Sequence, residues 1–131
     1  MDPRIEEAQR LFWEIETFAR AGVPHRALVT RMRDAARLHA EVATSRLDAG
    51  DLRGWIDLFA AITWWGQAGE KREAQRALEE GQTRASALQA GAEEILRELD
   101  ELRRWLAKHP VVPSLADFAV TLPPPPDRAA A

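Results

Sequence analysis

The sequence has no cysteine and no long uninterrupted apolar stretch, and each absence excludes a class of protein. Without cysteine, the chain cannot form a disulfide scaffold, a thiolate metal site or a cysteine nucleophile. No apolar run approaches the roughly 18 residues that a membrane-spanning helix requires, and residue 1 is not followed by a recognisable signal peptide. These absences predict a cytoplasmic protein with no membrane association.

Lysine is scarce as well, because the 18 basic residues comprise 16 arginines and 2 lysines. The net charge of −3 is unevenly distributed. Residues 20–46 contain six arginines against Asp34 and Glu41, a local charge of +4, so the remainder of the chain sums to −7. Such a local excess of positive charge is typical of a solvated helix face, of a surface that contacts nucleic-acid phosphates, or of a surface that binds an acidic partner.

Helical periodicity covers most of residues 1–110, and turn signals divide it into segments. Asp2 followed by Pro3 is typical of a helix start. A first helix is predicted to end at Ala21-Gly22, and a second spans residues 24–49. Asp51 can cap a third helix over residues 52–67, which is apolar on almost every side and is therefore expected to be buried. Gly66 and Gly69 indicate a break after it.

The longest pattern extends from residue 70 to residue 109 and predicts one helix of roughly 40 residues, or ~60 Å. Its apolar and small residues alternate in spacings of four and three, which is a heptad seam. The first half of the seam is mostly small, so it can admit a close backbone or a bulky partner side chain. The seam consists of Ala74, Leu78, Gly81, Ala85, Leu88, Ala92, Ile95, Leu99, Leu102 and Leu106.

The predicted fold is an all-α, up-and-down bundle of four main helices over residues 1–110. Pro110 ends the long helix, and residues 111–131 form an apolar arm and a proline-rich tail. Within the arm, Ser114 and Asp117 could cap a helical turn that carries Leu115 and Phe118. A helix of ~60 Å outreaches neighbours of about 25–40 Å. Part of its seam is therefore expected to be covered by another subunit, as in a coiled coil or a larger bundle.

The sequence contains no arrangement of residues that indicates catalysis or metal binding. His25, His39 and His109 lie on three separate segments, and no Glu-x-x-His motif is present. Nucleophile-elbow and phosphate-loop motifs are also missing. We therefore expect neither an enzyme nor a bound cofactor or metal. His39 lies on an apolar helix face and is expected to be a hydrogen-bonded core histidine.

The leading functional hypothesis is a non-enzymatic assembly or scaffold subunit that contacts further copies of itself or other protein subunits. Trp64 and Trp65 are consecutive, so their side chains point about 100° apart on a helix. One can enter the core, whereas the other is either buried by a further helix or available as an interface anchor. The predicted interface comprises Trp64, Trp65, Ile95, Leu99, Leu102, Trp105, Leu106, Leu115 and Phe118.

The alternative hypothesis is a small helical nucleic-acid-binding subunit or regulator. It depends on Arg26, Arg33 and Arg37, which lie on the side of the second helix opposite its apolar face. Residues 18–28 weakly resemble a helix-turn-helix, with Gly22 at the turn. Phe18 and Arg31 depart from that motif, which favours a small and an aliphatic residue at these positions. The resemblance supports no family assignment.

Overall fold

The computed structural model describes residues 2–108, which form five α-helices and no strand. The all-α class is therefore confirmed for this part of the chain. The helices are α1 (Pro3–Arg20), α2 (His25–Asp48), α3 (Gly54–Gln67), α4 (Lys71–Ser86) and α5 (Ala92–Lys108). No helix among them is long and apolar enough to cross a membrane. The predicted arm with Leu115 and Phe118, and the proline-rich tail, lie outside the described residues.

The first three helices begin and end within two residues of the predicted positions, because their terminal signals are local. Asp2 caps α1, and its carboxylate accepts a hydrogen bond of 2.9 Å from the backbone amide of Arg4. Gly22 and Gly50 follow α1 and α2 with φ of +88° and +76°. Glycine is favoured there because side-chain-bearing residues rarely adopt a left-handed conformation.

The predicted four-helix bundle with one 40-residue helix is wrong, because a turn separates α4 from α5. α4 ends at Ser86, and Gly91 adopts a φ of +79° that no straight helix permits. The Gly91 carbonyl then accepts a 3.2 Å hydrogen bond from the amide of Ile95 in the first turn of α5. The heptad seam is therefore divided between two amphipathic helices, α4 and α5, which a turn joins into a helical hairpin.

Burial explains why the hairpin forms in place of a rod. Leu99 and Leu102 of α5 are buried against α3 and α4, whereas a straight extension would leave them in water. Each such leucine contributes about 1.5–3 kcal/mol when buried. The first half of the seam consists mostly of small residues and leaves room for these leucine side chains, as its composition predicted. A Cβ added at Gly81 would lie only 3.0 Å from Leu99 Cδ2 and from Leu58 Cδ2.

Two apolar clusters form the core, and α3 contributes to both of them. The first lies between α1, α2 and the end of α3, where Phe12 meets Trp64 edge-on with ring centroids 5.8 Å apart. The second lies between α2, α3, α4 and α5 and includes Trp55 and Leu78. The central helix is therefore covered on several sides, as its nearly all-apolar composition predicted.

Replacement of Gly91 by alanine discriminates between the hairpin and a continuous rod. A Cβ at this position meets nothing within 4 Å, so only backbone conformation determines the effect. In the hairpin, Gly91→Ala is expected to destabilise the protein by about 1 kcal/mol through left-handed strain. In a rod, the same change would stabilise it by about 1 kcal/mol. Urea denaturation measures the sign, and Gly22→Ala, which also lies in open space, should give a similar loss.

The helix cap at Asp2 predicts a pH dependence. The side chain and then the backbone amide of Arg4 donate hydrogen bonds that lower the pKa of Asp2 to about 2 from 3.8. Because the folded-state pKa is depressed, the stabilisation is complete above pH 3.8 and is lost as the pH falls through about 2. Asp2→Asn keeps the capping oxygen but removes the charge. We expect its Tm deficit to disappear between these pH values, and an unchanged deficit at pH 2 would contradict this assignment.

Candidate interaction surface

Two large apolar side chains are exposed at the start of α3. Leu52, in the turn before the helix, is 67% exposed, and Ile56, in its first turn, is 64% exposed. Among residues 2–108, no other large hydrophobic side chain reaches this level of exposure. The two residues are four positions apart at the start of α3.

A hollow of about 240 Å³ adjoins Leu52. Its walls are mainly apolar and come from the end of α2, the start of α3 and the turn between α4 and α5. The residues that line it are Leu47, Gly50, Leu52, Trp55, Arg84, Ala87 and Leu88. We refer to Leu52, Ile56 and this hollow together as the α3 surface.

Arg84 is the charged residue of the hollow, and acidic neighbours hold its side chain. Its guanidinium donates to Asp48 at 2.9 Å and to Glu80 at 3.3 Å. The Asp48 carboxylate, by accepting this hydrogen bond, raises the pKa of Arg84. Because these carboxylates compensate the charge of Arg84, the hollow remains suited to an apolar side chain.

Asp57 fixes the orientation in which α3 presents Ile56. Its side chain is buried, and it accepts a hydrogen bond of 2.8 Å from Arg46 of α2. Its other carboxylate oxygen lies 3.3 Å from His39 Nδ1, also of α2. Trp55 packs into the second core cluster. Because successive residues are 100° apart, Ile56 lies between two anchored neighbours and faces outward.

The His39–Asp57 pair confirms that His39 is hydrogen-bonded and mostly buried. Within residues 2–108 there is no group of three or more histidine or acidic side chains that could hold a metal ion. His25 lies elsewhere, with its Nε2 2.6 Å from the Gln67 carbonyl oxygen, where it connects α2 to the end of α3. Both histidines join α2 to α3, and the observed geometry gives each a structural role.

The structure buries the described residues of the predicted interface either completely or partly. Trp64, Leu99 and Leu102 are buried within the chain, at 1%, 0% and 6% exposure. Four of the remaining predicted residues are partly buried, namely Trp65, Ile95, Trp105 and Leu106. Trp105 and Leu106 cover Gly66, where an added Cβ would lie 2.6 Å from each side chain. The last two predicted residues, Leu115 and Phe118, lie outside the described residues.

Most arginines of residues 20–46 are paired with carboxylates. Five of its six arginines form ion pairs, four of them with acidic residues beyond residues 20–46. These pairs are Arg20–Glu16, Arg31–Glu14, Arg33–Glu70, Arg37–Asp34 and Arg46–Asp57. Arg26 is exposed on the first turn of α2. Three of these pairs, those of Arg31, Arg33 and Arg46, connect α2 to other elements of the chain.

Leu52 and Ile56 were not among the residues that the sequence singled out. They belong to a segment that is apolar on nearly every side, and such a segment favours complete burial. Their position could have indicated their exposure. A residue at the start of a helix, next to turns of the chain, has fewer neighbouring side chains than a residue at the helix centre. Which apolar residue stays exposed depends on how α2, α4 and α5 surround α3.

Comparison with protein-family models, curated protein sequences and solved structures gave no match to this chain. The functional argument therefore depends on the geometry of its own residues.

Loss of the Asp57 carboxylate is expected to destabilise the bundle more than loss of an exposed carboxylate. Asp57→Asn leaves Arg46 without its buried counter-ion, and we expect a decrease of about 3 kcal/mol in the free energy of unfolding. Asp34→Asn removes the exposed partner of Arg37 and should cost less than about 1 kcal/mol. Urea denaturation of both variants measures the difference. Equal losses would show that the buried cluster has no special role.

Proposed function

We propose that this chain is a non-enzymatic helical assembly or scaffold subunit that binds another protein through the α3 surface. The observation that carries the proposal is the joint exposure of Leu52 and Ile56 beside an apolar hollow. Isolated apolar residues on a surface are ordinary, whereas adjacent ones next to a concavity are typical of contact sites. Hydrophobic anchors that fill pockets dominate the binding energy of protein interfaces.

The rigidity of the surrounding structure supports this proposal. Asp57 is held by two side chains of α2, and Trp55 is held in the core, so Ile56 needs little ordering when a partner binds. A preorganised contact loses less conformational entropy on association. The α3 surface is therefore suited to bind a partner without rearrangement of the bundle.

The heptad seam, from which the sequence predicts an assembly, does not support the proposal. The seam past residue 88 was expected to project beyond the bundle, yet Leu99 and Leu102 are covered by α3 and α4. Instead, α5 completes the core, and the proposed contact site lies at the start of α3. Trp65, Ile95, Trp105 and Leu106, which are partly buried, could extend the contact but do not define it.

The geometry supports nucleic-acid binding less well. Arg33 and Arg37 of the predicted patch already pair with Glu70 at 2.6 Å and with Asp34 at 3.1 Å. A phosphate would have to compete with these carboxylates for the same guanidinium groups. A cytoplasmic protein partner, which can be another copy of this chain or a different subunit, fits the apolar α3 surface better.

Charged substitutions on the α3 surface test the proposal. The double variant Leu52→Asp/Ile56→Asp should fold normally, since substitutions of exposed residues usually change stability by less than about 0.5 kcal/mol. Gln75→Asp/Thr83→Asp is a matched control, because it adds the same charge at two exposed positions of α4. The measurements are quantitative co-purification from the source cells and sedimentation velocity of the purified chain.

We expect a partner that is retained by the wild type and by the control variant and reduced at least about tenfold with the α3-surface variant, a loss equivalent to about 1.4 kcal/mol. Circular dichroism should give the same helix content for all three proteins. Identical partner yields and identical sedimentation for the wild type and the α3-surface variant would contradict the proposal.

A further inference from the structure

We infer that the turn between α4 and α5 is a hinge, at which the two helices can join into one helix while α5 packs on α3 and α4 of a second copy of this chain. In the free chain, α5 packs on its own α3 and α4, as described above. In the second state the same contacts form between two molecules, which is domain swapping. The inference goes beyond the proposed function, because it concerns the face that α5 covers and not the α3 surface.

The heptad seam continues through the turn without a change of register. Its spacing is three residues from Ala85 to Leu88 and four from Leu88 to Ala92, the same alternation as in the helices on either side. A turn between two helices does not require a helical period of its own. Because the period is kept, a continuous helix over residues 71–108 would carry the apolar faces of α4 and α5 on one side. A second molecule could then cover that whole side.

The composition of the turn is compatible with a helix. It contains five residues, of which the first four, Ala87, Leu88, Gln89 and Ala90, are tolerated in helices at little cost. Within residues 2–108, the amides of Gln89, Ala90 and Gly91 make no backbone hydrogen bond. In a continuous helix, each of these amides would donate to a carbonyl four residues earlier. Joining α4 and α5 therefore adds backbone hydrogen bonds at the hinge.

The contacts of α5 favour a second α5 as the group that covers the vacated face. Trp105 and Leu106 approach Gly66 of α3 so closely that an added Cβ would lie 2.6 Å from each side chain. Leu99 approaches Gly81 of α4 in the same way, with 3.0 Å to an added Cβ. The α5 helix of another molecule has the same sequence and reproduces these contacts unchanged. Its leucines, which a straight extension would leave in water, are then buried again.

Gly91 sets the balance between the two states. The exchanged contacts are identical in both, so the states differ only at the hinge and in the entropy that two chains lose on association. Glycine readily adopts the φ of +79° that the hairpin requires, and it disfavours a helix interior. The hairpin monomer is therefore favoured in dilute solution, and the swapped dimer gains as the protein concentration rises.

Replacement of Gly91 by alanine tests the hinge. Alanine disfavours the left-handed turn and favours the helix, and each effect changes an equilibrium constant by roughly fivefold. Because a swapped dimer contains two hinges, we expect Gly91→Ala to raise its association constant on the order of 1,000-fold. Sedimentation equilibrium over a concentration series measures this constant. The loss of stability expected above for Gly91→Ala applies to its dilute monomer.

Gly22→Ala is the matched control. Gly22 also has a positive φ and also lies in open space, so the substitution adds the same methyl group to the same kind of turn. However, Pro24 follows it and prevents a continuous helix through α1 and α2. We expect Gly22→Ala to remain monomeric at the concentrations at which Gly91→Ala forms a dimer.

The distance between the start of α4 and the end of α5 within one chain shows whether a dimer is swapped. Since the chain has no cysteine, Arg72→Cys and Ala107→Cys can carry the only two spin labels, and both positions are exposed. The hairpin holds them near each other, because Gly81 and Leu99, equally far from residue 90, are in contact. A continuous helix separates them by about 52 Å. Dilution of labelled chains with unlabelled ones before refolding restricts double electron–electron resonance to distances within one chain.

We expect a distance of about 52 Å in the Gly91→Ala dimer. Monomers of the wild type and of Gly22→Ala should show less than half of that distance. A Gly91→Ala variant that stays monomeric at every concentration, a dimer that keeps the short distance, or equal dimerisation of Gly22→Ala would each overturn the inference.

The outcomes separate this inference from the proposed function. If Gly91→Ala stays monomeric but Leu52→Asp/Ile56→Asp still loses a partner, the α3 surface binds other proteins and the hinge fails. If the long distance appears in the Gly91→Ala dimer but no partner depends on Leu52 and Ile56, the hinge stands and the proposed contact site fails.

Discussion

The fold depends on one requirement: α3 is apolar around nearly its whole circumference and must be covered by other helices. α1 and α2 cover its end around Trp64, while α4 and α5 cover the side that carries Leu58 and Ile62. This requirement also explains why α5 turns back, since α5 adds Leu99 and Leu102 to the cover that α4 provides on that side. Within the described residues, the two most exposed large apolar side chains, Leu52 and Ile56, lie at the start of α3.

Local signals in the sequence predicted the parts of the fold that depend on local chemistry. The Asp2 cap, the turns at Gly22 and Gly50 and the buried character of α3 all follow from residues within a few positions of each other. The hairpin between α4 and α5 was missed because both helices have an apolar face in compatible register, so the periodicity continues through the turn. Gly91 was the available signal, but a glycine is also tolerated within a helix at about 1 kcal/mol.

Surface properties proved harder to predict than helices, because they depend on pairs of residues that are distant in sequence. The arginines of residues 20–46 form a positive stripe only when α2 is considered alone. In the folded chain, Glu14, Asp57 and Glu70 approach arginines of α2 from other elements. The same holds for Leu52 and Ile56, whose exposure results from the positions of three neighbouring helices. Tertiary packing therefore determined which predicted contact residues reached solvent.

The division of the core into two clusters implies an order of local opening. α1 packs mainly on α2 and meets α3 only near Trp64, whereas α2 to α5 share the larger second cluster. Separation of α1 would therefore break one cluster and leave the other intact, so the amide hydrogens of α1 would exchange with solvent before those of α3. The bundle therefore has a hierarchy of stability in which α1 opens before the four helices that share the larger cluster.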